Sequence, residues 1–296
     1  MGAKIASTFY HKGVVTKMDT VILNNGVEMP MIGIGTSMLD EEACERTVRE
    51  ALEMGYRFVD TAQSYRNEGA VGRAVRQSGV KRKDVFIATK LTIANTTYEK
   101  AKESCKRSLD RLGVSAIDLL LLQYPYNDVF GAWRALTELR EEGLVHAIGV
   151  CNFAADRLAD LVLHVKERPQ VAQFERHPYY QRPQLMEYLR RQDIQPLARG
   201  PFAGCKTDLL QNPTVCAIAS AHGKTPCQVL LRWQTLRDVA VIPTTAGSDE
   251  LAENLASFDF ELSADECAAL DALERDESAL PANMMTPDWI EKLCRG

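Results

Sequence analysis

Tyr56-Arg57-Phe58-Val59-Asp60 and Val85-Phe86-Ile87-Ala88-Thr89-Lys90 are short apolar runs that each end on a charge. A carboxylate or an ammonium at the end of such a run is costly unless each has the other for a partner. Five residues past Asp60 comes Tyr65, in Asp60-Thr61-Ala62-Gln63-Ser64-Tyr65. A carboxylate, an ammonium and a phenol can therefore meet at one rim of a sheet as a proton-transfer set. An ammonium beside a phenol favours phenolate, which predicts a Tyr65 pKa below the usual value of about 10, while Asp60 keeps the lysine charged. The phenol then serves as a general acid. The plainer alternative is a structural ion pair beside an unrelated surface tyrosine.

The rest of the chain says which rim this is. Short apolar runs alternate with longer amphipathic stretches eight times: Ile32 to Thr36, Phe58 to Asp60, Val85 to Lys90, Ile117 to Gln123, Val145 to Cys151, Val171 to Glu175, Ile194 to Arg199 and Val239 to Pro243. Helices are predicted between them, as at Glu41 to Met54, Tyr98 to Leu112 and Trp133 to Glu142, with glycine following at Gly55, Gly113 and Gly143. Eight strand–helix units in 296 residues predict an α/β fold, a closed (β/α)8 TIM barrel. Thr20 to Met29 carries the Asn25-Gly26 turn between apolar runs, which predicts a hairpin plugging the barrel bottom. Extra helices are expected near Asp249 to Ala256 and Ala264 to Leu273, then a proline-containing tail. Residues 1–17 read as a loose extension and 18–296 as a single barrel domain. A doubly wound sheet is the competing fold, but Gly33-Ile34-Gly35-Thr36-Ser37-Met38 lacks the third glycine of a dinucleotide fingerprint.

In such a barrel the chemistry sits at the C-terminal ends of the strands. Asp60, Lys90, Gln123, Asn152, Gln173, Glu175, Arg199 and Thr244 all fall at or just past those ends.

Composition excludes some partners. The net charge is −5, from Lys+Arg 35 against Asp+Glu 40, with no long basic run, which argues against nucleic acid. The longest apolar run, around Ile117 to Leu122, is too short to cross a membrane. Eight cysteines lack any Cys-x-x-Cys pair. Cys44, Cys105, Cys216 and Cys267 fall on predicted helices, as small buried hydrophobes would, so reduced thiols and a cytoplasmic location are expected. His177 follows a strand end, but the five histidines do not cluster, so no metal site is expected. Residues 1–17 have no apolar core of the kind a secretory signal carries.

Four motifs together resemble the aldo-keto reductase superfamily. They are Phe58-Val59-Asp60-Thr61-Ala62-Gln63-Ser64-Tyr65-Arg66-Asn67-Glu68, Thr89-Lys90-Leu91, Ile148-Gly149-Val150-Cys151-Asn152-Phe153 and Glu253-Asn254. The resemblance runs from about Val21 to about Leu273. It implies a (β/α)8 barrel that reduces the carbonyl of a small molecule with NAD(P)H. By resemblance Tyr65 is the proton donor, Lys90 its neighbour and Asp60 the partner of that lysine. Asn152 and Gln173 would hold the nicotinamide carboxamide, Glu253 and Asn254 the adenine, and the backbone near Gly200 and Phe202 the pyrophosphate.

The chain also departs from the family pattern. Gln123 stands where the family has a histidine at the end of the fourth strand; an amide still donates an N–H but neither carries charge nor passes a proton. Losing one oxyanion donor costs about 10²- to 10³-fold, so weakened turnover is expected. The alternative is a barrel that has lost turnover and serves as a binding or regulatory protein. Cys151 replaces a serine, and Thr92 replaces a tryptophan. Arg199 stands where an aromatic ring usually stacks on the nicotinamide, and a guanidinium there suits an anionic substrate. In Pro243-Thr244-Thr245-Ala246-Gly247-Ser248-Asp249-Glu250, Thr244 replaces the usual lysine and Glu250 the usual arginine of the 2′-phosphate clamp. Two cations lost and one anion gained favour NADH over NADPH.

Overall fold

The computed structural model describes residues 19–281 and 284–295. The expected extension over residues 1–17 lies outside them. A two-stranded antiparallel hairpin, β1 (Thr20–Ile22) and β2 (Glu28–Pro30), comes first. Eight parallel strands follow: β3 (Ile34–Gly35), β4 (Phe58–Asp60), β5 (Phe86–Leu91), β6 (Ile117–Leu122), β7 (Val145–Cys151), β8 (Val171–Glu175), β9 (Gln195–Arg199) and β10 (Ala240–Ile242). Each pairs with the next in chain order. Parallel bridges Ile32↔Val241 and Gly35↔Thr244, with Gly35 N donating to Pro243 O at 2.9 Å, join the last strand to the first and close the barrel. The first strand is shorter than expected. A Cβ at Gly35 would sit 2.6 Å from Thr244 Oγ1, so the closing seam needs glycine there.

The helices are α1 (Glu41–Met54), α2 (Glu68–Gln77), α3 (Tyr98–Leu112), α4 (Val129–Glu141), α5 (Ala155–His164), α6 (Pro183–Gln192), α7 (Pro213–His222), α8 (Pro226–Thr235), α9 (Ser248–Leu255), α10 (Ala264–Asp271) and α11 (Pro287–Arg295). The helix expected from Trp133 begins a turn earlier, because Asp128 caps it by accepting from Gly131 N. α7 lies in the β9–α8 connection and was not anticipated, although Asn212 caps it, Pro213 opens it and Gly223 ends it in the left-handed region. Among the described residues no helix is long and apolar enough to cross a membrane.

Strand periodicity builds two cores. Residues of one parity, Phe58, Phe86, Ala88, Leu119, Leu121, Ala147, Val171 and Leu197, fill the barrel interior, while Val59, Ile87, Leu120, Ile148 and Ala172 face the helices. The hairpin closes the N-terminal end: Met29 packs into the interior cluster, and Asn25 Nδ2 donates to His146 O at 3.1 Å. The expected plug is borne out. Continuing the inward parity toward the C-terminal end brings Asp60, Lys90, Gln123, Cys151, Gln173, Glu175 and Arg199 to the polar C-terminal end of the barrel, each two residues past an inward-facing position. All eight cysteines are free; Cys44 and Cys105 are buried as expected, whereas Cys216 is exposed because it lies on the outer face of α7.

Candidate active site

Asp60 and Lys90 are 2 % and 1 % exposed, which a charge tolerates only with a partner. Lys90 Nζ donates to Asp60 Oδ1 at 2.5 Å and to Thr61 O at 2.8 Å. Burial pulls the Lys90 pKa down, but the Asp60 carboxylate outweighs it and holds the ammonium above its ordinary range. Tyr65 ends a short 3-10 turn over Gln63–Tyr65, and Arg66 in the left-handed region turns the chain back. That places the Tyr65 ring 5.1 Å from Lys90 Nζ, so the three groups read from the sequence are brought together.

The expected sign of the Tyr65 shift is corrected. Burial pushes the phenol up, and the pull of the Lys90 ammonium and the Ser37 hydroxyl does not overcome it. Asp60 sits against that ammonium and also raises the phenol, so little net positive field is left. Tyr65 is therefore a firmly protonated donor. It gives up its proton as charge develops on an acceptor, rather than resting as phenolate.

Surrounding polar residues fix this arrangement. Buried Asn67 donates to Thr36 O at 2.8 Å and Leu39 O at 3.0 Å, and accepts from Thr61 Oγ1 at 2.8 Å, tying the loop after β3 to the loop after β4. Glu68 accepts from Thr89 Oγ1 at 2.7 Å and from Arg111 Nε at 2.7 Å, anchoring the start of α2 beside Lys90. Both residues close the motif that begins at Phe58, but neither had a role of its own legible in the sequence.

The residues assigned to the carboxamide are all at the rim but already bonded within the protein. Gln173 Nε2 donates to Asp60 Oδ2 at 2.7 Å, and its Oε1 accepts from Cys151 Sγ at 3.2 Å. Burial pushes the Cys151 thiol up to about 11, so it stays protonated and can donate. Asn152, at φ 61°, donates to Gln123 O at 3.0 Å and accepts from Arg199 Nε at 3.0 Å. Gln123, 8 % exposed, donates from Nε2 to Ser64 Oγ at 2.9 Å.

Beyond β9 the backbone turns sharply. Gly200, Ala203, Gly204 and Cys205 all have φ between 52° and 60°. Among the described residues the N–H groups of Gly200 and Phe202 donate to no backbone carbonyl, so this loop can cradle an anion such as a pyrophosphate. Thr244 is exposed and Thr245 buried, and the Thr245 hydroxyl bonds the Glu250 carboxylate in the first turn of α9. Asn254 is buried, whereas Glu253 accepts from Thr225 Oγ1 at 2.5 Å and so is turned toward α8. The donor set fits a dinucleotide along this edge, with its carboxamide partners having to exchange the bonds they now hold.

The C-terminal segment edges the mouth. Glu175 accepts from Ser278 Oγ at 2.6 Å, Ala279 N at 2.7 Å and His177 Nε2 at 3.0 Å. Burial would raise this carboxyl, but those bonds and nearby Arg199 outweigh it and hold its pKa at about 2. Trp289 on α11 meets the Tyr124 ring edge-on at 5.0 Å. His177 is fully buried in this latch. A cavity of about 750 Å³ lies elsewhere, among Asn24, Arg176, Asp193, Pro196, Arg237 and Asp238 beside the hairpin. Nothing in it matches the charge set at the rim, so the chemistry is assigned to the rim.

A closed parallel barrel with a buried carboxylate–ammonium pair and a phenol at its C-terminal rim defines a (β/α)8 oxidoreductase-type site. The chain matches the aldo/keto reductase family over residues 31–275 and belongs to that family. An aldo-keto reductase of Mycobacterium sp. (strain MCS) is 38 % identical over 266 residues, covering 89 % of this chain and 93 % of that protein. Morphine 6-dehydrogenase of Pseudomonas putida is 38 % identical over 272 residues, covering 87 % of this chain and 92 % of that protein. The crystal structure of a Bombyx mori aldo-keto reductase in complex with NADP matches with a TM-score of 0.86 at 26 % identity, over 93 % of this chain and 99 % of that one.

Proposed function

We propose that this protein reduces the carbonyl group of a small molecule with a nicotinamide cofactor, with Tyr65 as the proton donor. The observation that carries this is the buried Lys90–Asp60 contact at 2.5 Å with the Tyr65 ring 5.1 Å away. A bound reduced nicotinamide would supply the hydride. Tyr65 protonates the substrate oxygen, Lys90 stabilises the phenolate left behind, and Asp60 keeps Lys90 charged and aimed. Gln123 offers an amide N–H to the developing negative oxygen in place of an imidazole. Asn152 and Gln173 would hold the carboxamide of that cofactor, and the Gly200–Phe202 backbone its pyrophosphate.

Arg199 supports an anionic substrate. Only its Nε is bonded among the described residues, so its two terminal nitrogens remain to pair bidentately with a carboxylate or phosphate. At the adenosine end, Glu250 in the first turn of α9 opposes a 2′-phosphate and suits a free ribose hydroxyl, which favours NADH. The free thiols support a cytoplasmic location.

A second reading has its own support. Both ends of the Gln173 and Asn152 side chains are bonded within the protein, which suits a barrel that binds without turnover. Fluorescence titration of the purified protein with NADH and NADPH, followed by turnover on aldehydes and ketones with and without a carboxylate, separates the two. Binding with turnover, best on the carboxylated substrates, upholds the first reading. Binding without turnover of any carbonyl upholds the second.

A further inference from the structure

Gln123 is held rigidly at its backbone and loosely at its side chain. Its N–H donates to Leu91 O at 3.1 Å and its carbonyl accepts from Asn152 Nδ2 at 3.0 Å, so both of its main-chain groups are paired. The side-chain amide has one contact among the described residues, Nε2 to Ser64 Oγ at 2.9 Å. Ser64 stands on the 3-10 turn that carries Tyr65. One hydroxyl on the Tyr65 turn therefore holds the Gln123 amide.

We propose that Ser64 is a positioning residue for carbonyl reduction, locking the Gln123 amide so that it acts as the oxyanion donor. This rests on the functional reading above. A primary amide carries two N–H donors and a carbonyl acceptor. With one N–H on Ser64 Oγ, the second is left to meet the substrate oxygen, and Oε1 takes no hydrogen bond from a described residue. A half-turn of the amide preserves the contact, because the serine hydroxyl then donates to Oε1 and both N–H groups face the mouth. The serine–amide unit thus supplies a donor to a carbonyl or an acceptor to an alcohol without gaining or losing a proton. An imidazole at this position would need its tautomer or charge to change for the same exchange. In the reduction itself, hydride goes to carbon and the Tyr65 proton to oxygen, while the serine–amide unit keeps its own protons.

The test is a double-mutant cycle of Ser64→Ala with Gln123→Leu, with Ser64→Thr as the conservative variant. Ser64→Ala should lower kcat about tenfold, a fraction of what a whole oxyanion donor carries, leaving NADH affinity unchanged. Ser64→Thr should restore it, and Ser64→Ala should cost nothing further once Gln123 is leucine. The kcat–pH profile of the parent should lack a limb near the imidazole range of about 6.5, which Gln123→His should introduce. In ¹⁵N spectra, Ser64→Ala should shift the Gln123 side-chain N–H resonances, the proton that faces Ser64 most, toward those of a free amide. A parent protein that reduces no carbonyl overturns the functional reading, and the Ser64 lock is then judged on the resonances alone. Unchanged kcat in Ser64→Ala, equal loss in the Gln123→Leu background, or unchanged Gln123 resonances would each overturn the lock.

Discussion

Gln173 on β8 donates its amide to Asp60 Oδ2 on β4 at 2.7 Å, reaching across the barrel to the oxygen that Lys90 leaves free. A carboxylate held from both sides cannot rotate, so Lys90 on β5 is aimed at Tyr65 by residues of two other strands, β4 and β8. Gln173→Leu removes one hydrogen bond to a buried charge, worth about 1.5–3 kcal/mol. The variant should lose about that much stability in urea unfolding and should also lose kcat. If only the KM for the cofactor rises, Gln173 serves the carboxamide alone.

The latch on Glu175 gives the fold an acid limit. A carboxyl at about 2 in the folded protein and about 4.3 when unfolded contributes stability that is full above the unfolded value and is lost as pH falls from roughly 5 toward 2. Urea unfolding across that range should therefore show a shallower loss with falling pH in Glu175→Gln than in the parent. Amide exchange at Ala279 should quicken in the same variant, since the acceptor of its N–H has become neutral. Identical slopes would mean that the segment is held by other contacts.

The barrel was legible because β4 to β9 each read as a short apolar run with one polar end, and because inward parity repeats every second residue. The partners of that inward layer were not legible. The Gln173–Asp60 contact spans strands that are not neighbours, and Ser278 and Ala279, which latch Glu175, lie more than a hundred positions along the chain. The sign of the Tyr65 shift was read wrongly for a similar reason. Sequence placed a cation beside the phenol, but burial and the neutralising Asp60 contact appear only once the loops are packed. α7 carried ordinary start and stop signals at Asn212, Pro213 and Gly223, and was missed because it interrupts the strand–helix alternation.

Restoring the family residue by Gln123→His should raise kcat on simple aldehydes, because imidazole is the stronger and orientable donor to the developing oxyanion. A rate that stays level or falls would show that the pocket around Ser64 has been built for an amide.

Cofactor choice should follow charge. The protein should bind NADH at least as tightly as NADPH, and Thr244→Lys with Glu250→Arg should reverse that order by setting two cations around the 2′-phosphate. Both positions are exposed, so the reversal should shrink as salt rises past about 0.1 M, where screening acts within about 10 Å. Tight NADPH and weak NADH binding by the parent would place the phosphate on other residues, such as Lys206. Arg237 is a poor candidate, being paired with Asp271 at 2.6 Å beside the far cavity.

The central claim is that Tyr65 gives the proton, and single-turnover reduction of an aldehyde by the NADH-loaded protein tests it most directly. Tyr65→Phe should bind NADH as tightly as the parent and transfer hydride at a rate lower by at least the 10²- to 10⁴-fold that a general acid supplies. In the parent the rate should hold through neutral pH and fall only above about 10, because the phenol is raised and must be protonated to act. A Tyr65→Phe protein that keeps most of the parent rate would contradict the account, whatever its affinity for cofactor.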